Sequence, residues 1–314
     1  MSDAGIPKAI AVVGPTASGK TSLAIKLAKE FKGEIVSADS RQLYRGTGIC
    51  TDIPPGKWRS FGQRRAYMVE GVPHYLMNTE SPGKPITVSE YRRRALWRLK
   101  EIAARGKVPF LVGGTGLYVR SVVDNFSIPE VRPDEQLRAK LEKVPTEKLA
   151  KKLEQLDPAY AQRISLKNRR YLIRALEVIE TTGRPFSEQQ STGEPQLNWL
   201  QIGITRPREE LYRRINDRVD QMEDLGLLEE TLKLARRYGW EARIMTSLGY
   251  NQLRAYFVDG QSLAEALDNM KRDTRHYARR QLTWLRRDNR INWVASEAKA
   301  RLLITRFLQT SKSK

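Results

Sequence analysis

The chain's 314 residues are too many for one small core and fit a large domain carrying an inserted one. Its formal charge of +20, spread along the length, favours a nucleic-acid partner, against the plainer reading of a basic but otherwise ordinary enzyme. The single cysteine, Cys50, excludes an internal disulfide and, with only His74 and His276, a Cys/His zinc cluster.

Ala9 to Val13 is a continuous apolar run that reads as a buried strand, and Thr21 to Lys29, with Leu23, Ala24, Leu27 and Ala28 in register, reads as a helix. Between them stands Gly14-Pro15-Thr16-Ala17-Ser18-Gly19-Lys20-Thr21, which meets the phosphate-loop pattern at every fixed position. Gly14 and Gly19 let the backbone of Thr16, Ala17 and Ser18 close around phosphate oxygens, Lys20 adds a full charge, and the Thr21 hydroxyl can meet Mg2+. The candidate diphosphate-binding residues are therefore Gly14, Thr16, Ala17, Ser18, Gly19, Lys20 and Thr21; the bland alternative is a glycine turn that happens to precede a helix.

Glu34 to Ala38 reads as a second strand delivering Asp39-Ser40-Arg41-Gln42 at its carboxyl end, the edge where open α/β sheets hold ligands. Asp39 remains open between a metal-binding carboxylate, a general base and a helix N-cap. Thr51 to Gln63, rich in proline and glycine, reads as a loop. Val72 to Leu76 reads as extended, with His74 as a structural rather than catalytic histidine. Val88 to Arg105 is helical by pattern, with Tyr91, Ala95, Leu99 and Ile102 on its core stripe. Lys107 to Val112 is a further apolar strand running into Gly113-Gly114-Thr115-Gly116. There the Thr115 hydroxyl stands where a phosphate or leaving-group oxygen would lie, unless the glycines merely make a tight turn.

From residue 127 to 196 strand signals stop and the text becomes charged and helical, an expected insertion. Within it Leu172, Ala175, Leu176 and Ile179 form a core stripe, while Arg170 and Arg174 share another face that suits a phosphate backbone or plain solvation. Leu197 to Ile204 returns to strand, followed by a helix with Thr205 or Arg206 near its cap and Pro207 in its first turn, with Leu211, Ile215, Val219 and Met222 inward and Arg214 and Arg218 able to reach a phosphate. Ser247 to Asn251 is a loop or helix start. A last long helix, about residues 262–287, turns Arg272, Arg275, Arg279 and Arg286 to one side with Tyr277 and Trp284 close by, a combination that grips single-stranded RNA. No apolar run reaches the roughly 18 residues of a membrane span, and Met1 to Lys8 lacks the regions of a signal peptide; the expectation is a cytoplasmic protein with no membrane partner. The expected fold is α/β, a P-loop NTPase-like parallel sheet with helices on both faces and an inserted all-helical domain, divided 1–126, 127–196 and 197–314.

The whole constellation resembles the bacterial tRNA dimethylallyltransferase family. The resemblance rests on the phosphate loop, Asp39 to Tyr44, Gly113 to Tyr118, Asn168-Arg169-Arg170 with Arg174 to Val178, Thr182 to Pro185, Leu248-Gly249-Tyr250 and Arg279 to Arg286, in that order along nearly the whole chain. It implies transfer of a dimethylallyl group from dimethylallyl diphosphate to N6 of the adenosine just 3′ of a tRNA anticodon, with release of diphosphate; a monomer is the default expectation. It also implies roles. Asp39 is the base or N6-orienting carboxylate, and Thr115 contacts the leaving-group oxygen. Lys20, Thr21 with Mg2+, and Arg218 clamp the diphosphate. The tRNA contacts are Asp39, Ser40, Arg41 and Gln42; Arg170, Tyr171, Leu172, Ile173 and Arg174; Thr246, Ser247, Leu248, Gly249, Tyr250 and Asn251; and Arg279, Arg280, Gln281, Thr283, Trp284 and Arg286. One segment departs from the family's pattern: Gly48-Ile49-Cys50-Thr51-Asp52-Ile53-Pro54 stands where a Gly-Thr-Ala-Lys-Pro run is usual, and no contact is carried over to it. The competing readings are a phosphate-loop nucleotide kinase, which would want a carboxylate where the strand 107–112 instead ends in glycines, and an ATP-gated RNA-binding factor.

Overall fold

A computed structural model describes residues 5–129, 131 and 133–310, in two compact units, 1–123 with 196–314 and 124–195. In chain order the first unit contributes β1 (Lys8–Val13), α1 (Lys20–Glu30), β2 (Gly33–Ser37), β3 (Lys57–Phe61), β4 (Arg64–Val69), β5 (Val72–Tyr75), α2 (Val88–Ala104), β6 (Val108–Gly113) and α3 (Gly116–Val123). The second unit holds β7 (Phe126–Ser127), α4 (Glu135–Glu142), α5 (Thr146–Leu156), α6 (Pro158–Ala161), α7 (Arg169–Thr182) and β8 (Ser191–Thr192). The first resumes with β9 (Asn198–Ile204), α8 (Arg208–Asp224), α9 (Leu227–Tyr238), α10 (Tyr250–Val258), α11 (Leu263–Leu285), β10 (Asn292–Val294) and α12 (Glu297–Gln309).

Eight strands form one sheet in the order β10-β9-β1-β6-β2-β5-β4-β3, parallel from β10 to β5 and closed by an antiparallel edge hairpin. The central strands are apolar at nearly every position because helices cover both faces: Ala9 to Val13 are fully buried, as are Phe110 and Leu111. Tyr91, Ala95, Leu99 and Ile102 of α2 are likewise fully buried, and the Tyr91 hydroxyl donates to the Ser37 carbonyl at 2.8 Å. Helix α11 opens on a capping box between Ser262 and Glu265. Among the described residues no helix is long and apolar enough to cross a membrane.

Three elements differ from the sequence reading. Residues 51–63 are not all loop, since β3 lies among them and pairs with β4. Both strands are rich in cations because β3 is the sheet's edge and β4 lies next to it: Arg65 stacks over Trp58 at 4.6 Å and Arg59 over Phe61 at 5.4 Å, so charge is tolerated where a central strand would exclude it. The insertion is not wholly helical, since β7 and β8 pair antiparallel at its two chain ends. Pro207 is the N-cap residue of α8 rather than its first-turn residue.

The second unit packs Leu149, Leu153, Leu172, Ile173, Ala175 and Leu176 into a core of its own. Its polar centre is Glu177, fully buried, whose carboxylate accepts from Arg138 Nε at 2.8 Å, Arg138 Nη2 at 2.9 Å, Arg174 Nη1 at 2.7 Å and the Asp134 N–H at 2.8 Å.

Candidate active site

Strands β9, β1, β6 and β2 are neighbours in the sheet, so the loops leaving their carboxyl ends share one edge. The loop after β1 is the glycine-rich one. Gly19 takes φ +88°, which a side chain would resist, and no side chain caps α1, so its first-turn N–H groups remain for an anion. Three arginines brace this loop. Arg214 Nε donates to the Ala17 carbonyl at 2.9 Å, Arg206 Nε to the Ser18 carbonyl at 3.3 Å, and Arg218 Nη1 to the Thr16 hydroxyl at 2.7 Å. With the Ser18 carbonyl drawn outward, the N–H across the same planar peptide, that of Gly19, faces the other way. Ser18 is fully buried and its hydroxyl has no partner among the described residues. Lys20 Nζ donates to the Pro15 carbonyl at 3.3 Å. Burial lowers the Lys20 pKa from its ordinary value; nearby Asp39 opposes that, and Arg218 adds to it.

The turn after β2 carries Asp39. Its Oδ1 accepts from the N–H groups of Arg41 at 2.8 Å and Gln42 at 3.3 Å, capping a turn rather than a helix, while Oδ2 accepts nothing from the described residues. One oxygen is thus structural and the other available. The turn after β6 is stitched to this one: the Thr115 hydroxyl accepts from the Ser40 N–H at 3.1 Å and lies 3.4 Å from the Ser40 hydroxyl, and the Thr115 N–H donates to the Ala38 carbonyl at 3.2 Å.

Helix α11 locks the second glycine turn to the phosphate loop through Gln281. Its Oε1 accepts from the Thr16 N–H at 2.9 Å and its Nε2 donates to the Gly114 carbonyl at 2.9 Å. A Cβ on Gly114 would run into both this amide and the Gly14 carbonyl. On the same helix the Tyr277 phenol lies against Thr115, its pKa pushed up to about 12 by burial and then by Asp39.

Several expected RNA contacts are displaced by this geometry. Leu172 and Ile173 are buried in the second unit's core, because the apolar stripe of α7 must face inward. Arg174 is engaged by Glu177 and by the carbonyls of Pro129 and Val131. Ser247, Gly249 and Tyr250 are buried where α10 begins, with the Tyr250 hydroxyl on Glu230 at 2.8 Å. Gln281 is an internal tie, Trp284 packs against the core beside Gly116, and the Gln42 amide donates to the carbonyls of Thr51 and Asp52. Leu248 is half-buried, as are Ser40 and Arg41 at the site's rim. Arg170, Tyr171, Thr246, Asn251, Arg279, Arg280, Thr283 and Arg286 are exposed.

His74 is structural, as its neighbours suggested: it is buried, bonded through Nδ1 to the Val72 carbonyl at 2.9 Å, and its pKa is pushed down to about 4 by burial. Burial likewise pushes the Cys50 thiol up to about 12, so it stays protonated and inert. Sequence reasoning missed Arg206, Tyr277 as a site residue, and the role of Gln281. A position between Arg279 and Arg286 on a basic helix carries no signal that it faces inward; only the stripe at Thr274, Ala278 and Leu285 hints at it.

Residues 42–288 match the family described as IPP transferase, and residues 7–72 match that described as isopentenyl transferase. A tRNA dimethylallyltransferase of Thermomicrobium roseum is 43% identical over 289 residues, covering 90% of this chain and 85% of that one. Another, of Carboxydothermus hydrogenoformans, is 43% identical over 296 residues, covering 92% of each. Among solved structures, a tRNA isopentenylpyrophosphate transferase from Bacillus halodurans is 38% identical with a TM-score of 0.67, over 96% of this chain and 95% of that one. A eukaryotic dimethylallyltransferase described as acting on tRNA is 25% identical with a TM-score of 0.79, over 98% of this chain and 81% of that one.

Proposed function

The chain belongs to the IPP transferase family, and from that premise we propose that it is a prenyltransferase moving a dimethylallyl group from dimethylallyl diphosphate to N6 of the adenosine just 3′ of a tRNA anticodon, releasing diphosphate. Its relatives' names favour this over phosphoryl transfer or an ATP-gated RNA switch. The observation that carries it for this chain is the junction at the sheet edge. An open carboxylate oxygen, Asp39 Oδ2, and a hydroxyl, Thr115, are stitched together through Ser40, next to a phosphate loop that Gln281 binds to the same turn.

An adenine amino group is a weak nucleophile, so the carbon–oxygen bond of the donor must loosen first, leaving negative charge on the diphosphate. Lys20, Arg218 and the first-turn N–H groups of α1 line the cradle in which that charge develops and can stabilise it. Thr115 holds its hydroxyl only weakly on Ser40 and can turn it to the departing oxygen. As the new carbon–nitrogen bond forms, the amine proton becomes acidic, and Asp39 Oδ2 accepts it. The target base has to leave its stack to reach this edge, which the exposed Arg279, Arg280 and Arg286 of α11 support by holding a distorted loop. Mg2+ fits the donors present: the Thr21 hydroxyl, at the start of α1, would join phosphate oxygens and water around a hard cation. When bound, that ion neutralises diphosphate charge.

The test is incubation of the purified protein with unmodified tRNA, Mg2+ and dimethylallyl diphosphate, followed by nucleoside mass analysis. N6-dimethylallyladenosine is expected from the wild type. Asp39→Asn, which keeps the Oδ1 cap, should lower transfer by about a hundredfold or more while tRNA binding stays within a few-fold. Near-wild-type transfer by this variant would remove Asp39 from the chemistry, and phosphoryl transfer from ATP with untouched adenines would overturn the whole reading.

A further inference from the structure

Residues 48–54, where the chain departs from the pattern its other segments follow, form with Thr47 a braced turn beside the phosphate loop. Inside it the Thr51 N–H donates to the Thr47 carbonyl at 3.0 Å and the Ile53 N–H to the Gly48 carbonyl at 2.9 Å. From outside, Glu230 accepts the N–H groups of Ile49 at 2.9 Å and Cys50 at 3.0 Å, and Gln42 Nε2 donates to the Asp52 carbonyl at 2.9 Å. The bracing holds Asp52 at φ +56°, a left-handed conformation that a side chain keeps only when its surroundings fix it.

This strained residue delivers a carboxylate to Arg218. Asp52 Oδ2 lies 3.3 Å from Arg218 Nη1, the same nitrogen that donates to the Thr16 hydroxyl at 2.7 Å, while Arg218 Nε is buried and unpartnered. The Asp52 side chain is 62% exposed, so water screens the pair and holds it only weakly. A pair that weak is easily exchanged for a diphosphate, which carries more charge and several acceptors.

We propose that Asp52 competes with diphosphate for Arg218, holding the guanidinium while the cradle is empty and taking it back as the product leaves. The inference rests on the reading that diphosphate sits in the loop of residues 14–21. A cradle ringed by Lys20, Arg206, Arg214 and Arg218 grips the released diphosphate as firmly as it stabilises the departing one, and tight product binding throttles turnover. A carboxylate at the mouth raises the free energy of the product complex and gives Arg218 somewhere to go. Asp52 is thus a positioning residue: it acts through Arg218 and touches neither reacting atom.

The experiment is calorimetric titration of the full-length protein with inorganic pyrophosphate, paired with product-inhibition kinetics. Asp52→Asn and Asp52→Gly both accept the left-handed turn and both remove the charge. Each should bind pyrophosphate about fivefold more tightly at low salt, with the gain shrinking as ionic strength rises and with stronger product inhibition, while Asp52→Glu stays near wild type. In an Arg218→Ala background most of the gain from Asp52→Asn should vanish. A merely structural role for Asp52 would weaken binding or leave it unchanged, and either result in both charge-removing variants overturns the proposal. Pyrophosphate that fails to bind the wild type, or that binds regardless of Lys20→Ala, overturns the reading of the loop together with this inference. Binding that needs Lys20 yet ignores Asp52 overturns this inference alone.

Discussion

Lys20 illustrates how a single enclosed charge converts into a measurable pH dependence. Burial lowers its pKa from the ordinary 10.5, with Arg218 adding to the effect, so deprotonation in the empty site begins at a lower pH than for a solvated lysine. A bound diphosphate favours the ammonium and pulls the pKa back up. Binding at alkaline pH is therefore accompanied by proton uptake, and pyrophosphate affinity falls as pH rises through the depressed value. Calorimetry in two buffers of different ionisation enthalpy checks this, and Lys20→Arg, whose guanidinium stays charged, should flatten the profile. Lys20 was legible because its neighbours in sequence are its neighbours in space. Gln281 was not, because it meets Thr16 from 265 positions away in sequence and no local pattern on α11 encodes that approach. Asp39 was half legible: a capping role was among its readings, but the oxygen that caps holds a turn rather than a helix, and Oδ2 accepts nothing from the described residues.

At the scale of an element, α7 shows both the reach and the limit of periodicity. Its apolar stripe was plain, and Leu172, Leu176 and Ile179 are buried accordingly. The polar side was ambiguous, since spacing alone does not distinguish an arginine facing water from one facing a buried carboxylate. Arg174 is of the second kind. Burial by itself would raise the Glu177 pKa, but hydrogen bonds from Arg138 and Arg174 outweigh it and hold the group below its ordinary 4.5. Glu177 therefore contributes stability that is present above the usual glutamate range and lost as pH falls below it. Glu177→Gln leaves two guanidiniums without their counter-ion and should cost the 124–195 unit about 3 kcal/mol. Limited proteolysis of the full chain should then show new cleavage within those residues, and an unchanged digest would mean the arginines find other acceptors. The β3–β4 hairpin failed to read as strand for a related reason: its cations lie over aromatic rings at an open sheet edge, so the usual apolar signature of a strand is missing.

Across the whole molecule, a charge of +20 gives the surface a general attraction for RNA, and α11 concentrates part of it. Arg279, Arg280 and Arg286 are exposed on that helix, and exchanging one of them for alanine tests whether the attraction is local. Arg279→Ala should weaken tRNA binding and reduce the slope of log affinity against log salt by about one; an identical slope would take that arginine off the RNA-facing surface. The sheet order was within reach of sequence reasoning only in part, since strand-then-glycine units announced β1 and β6 but nothing in the text declared that they are adjacent. Because Gln281 seats Thr16 from 265 positions further along, synthesis must run far past the glycine loop before anything pins that loop in place. A chain cut short upstream of α11 would retain the whole glycine motif yet lack the side chain that ties it to the second glycine turn.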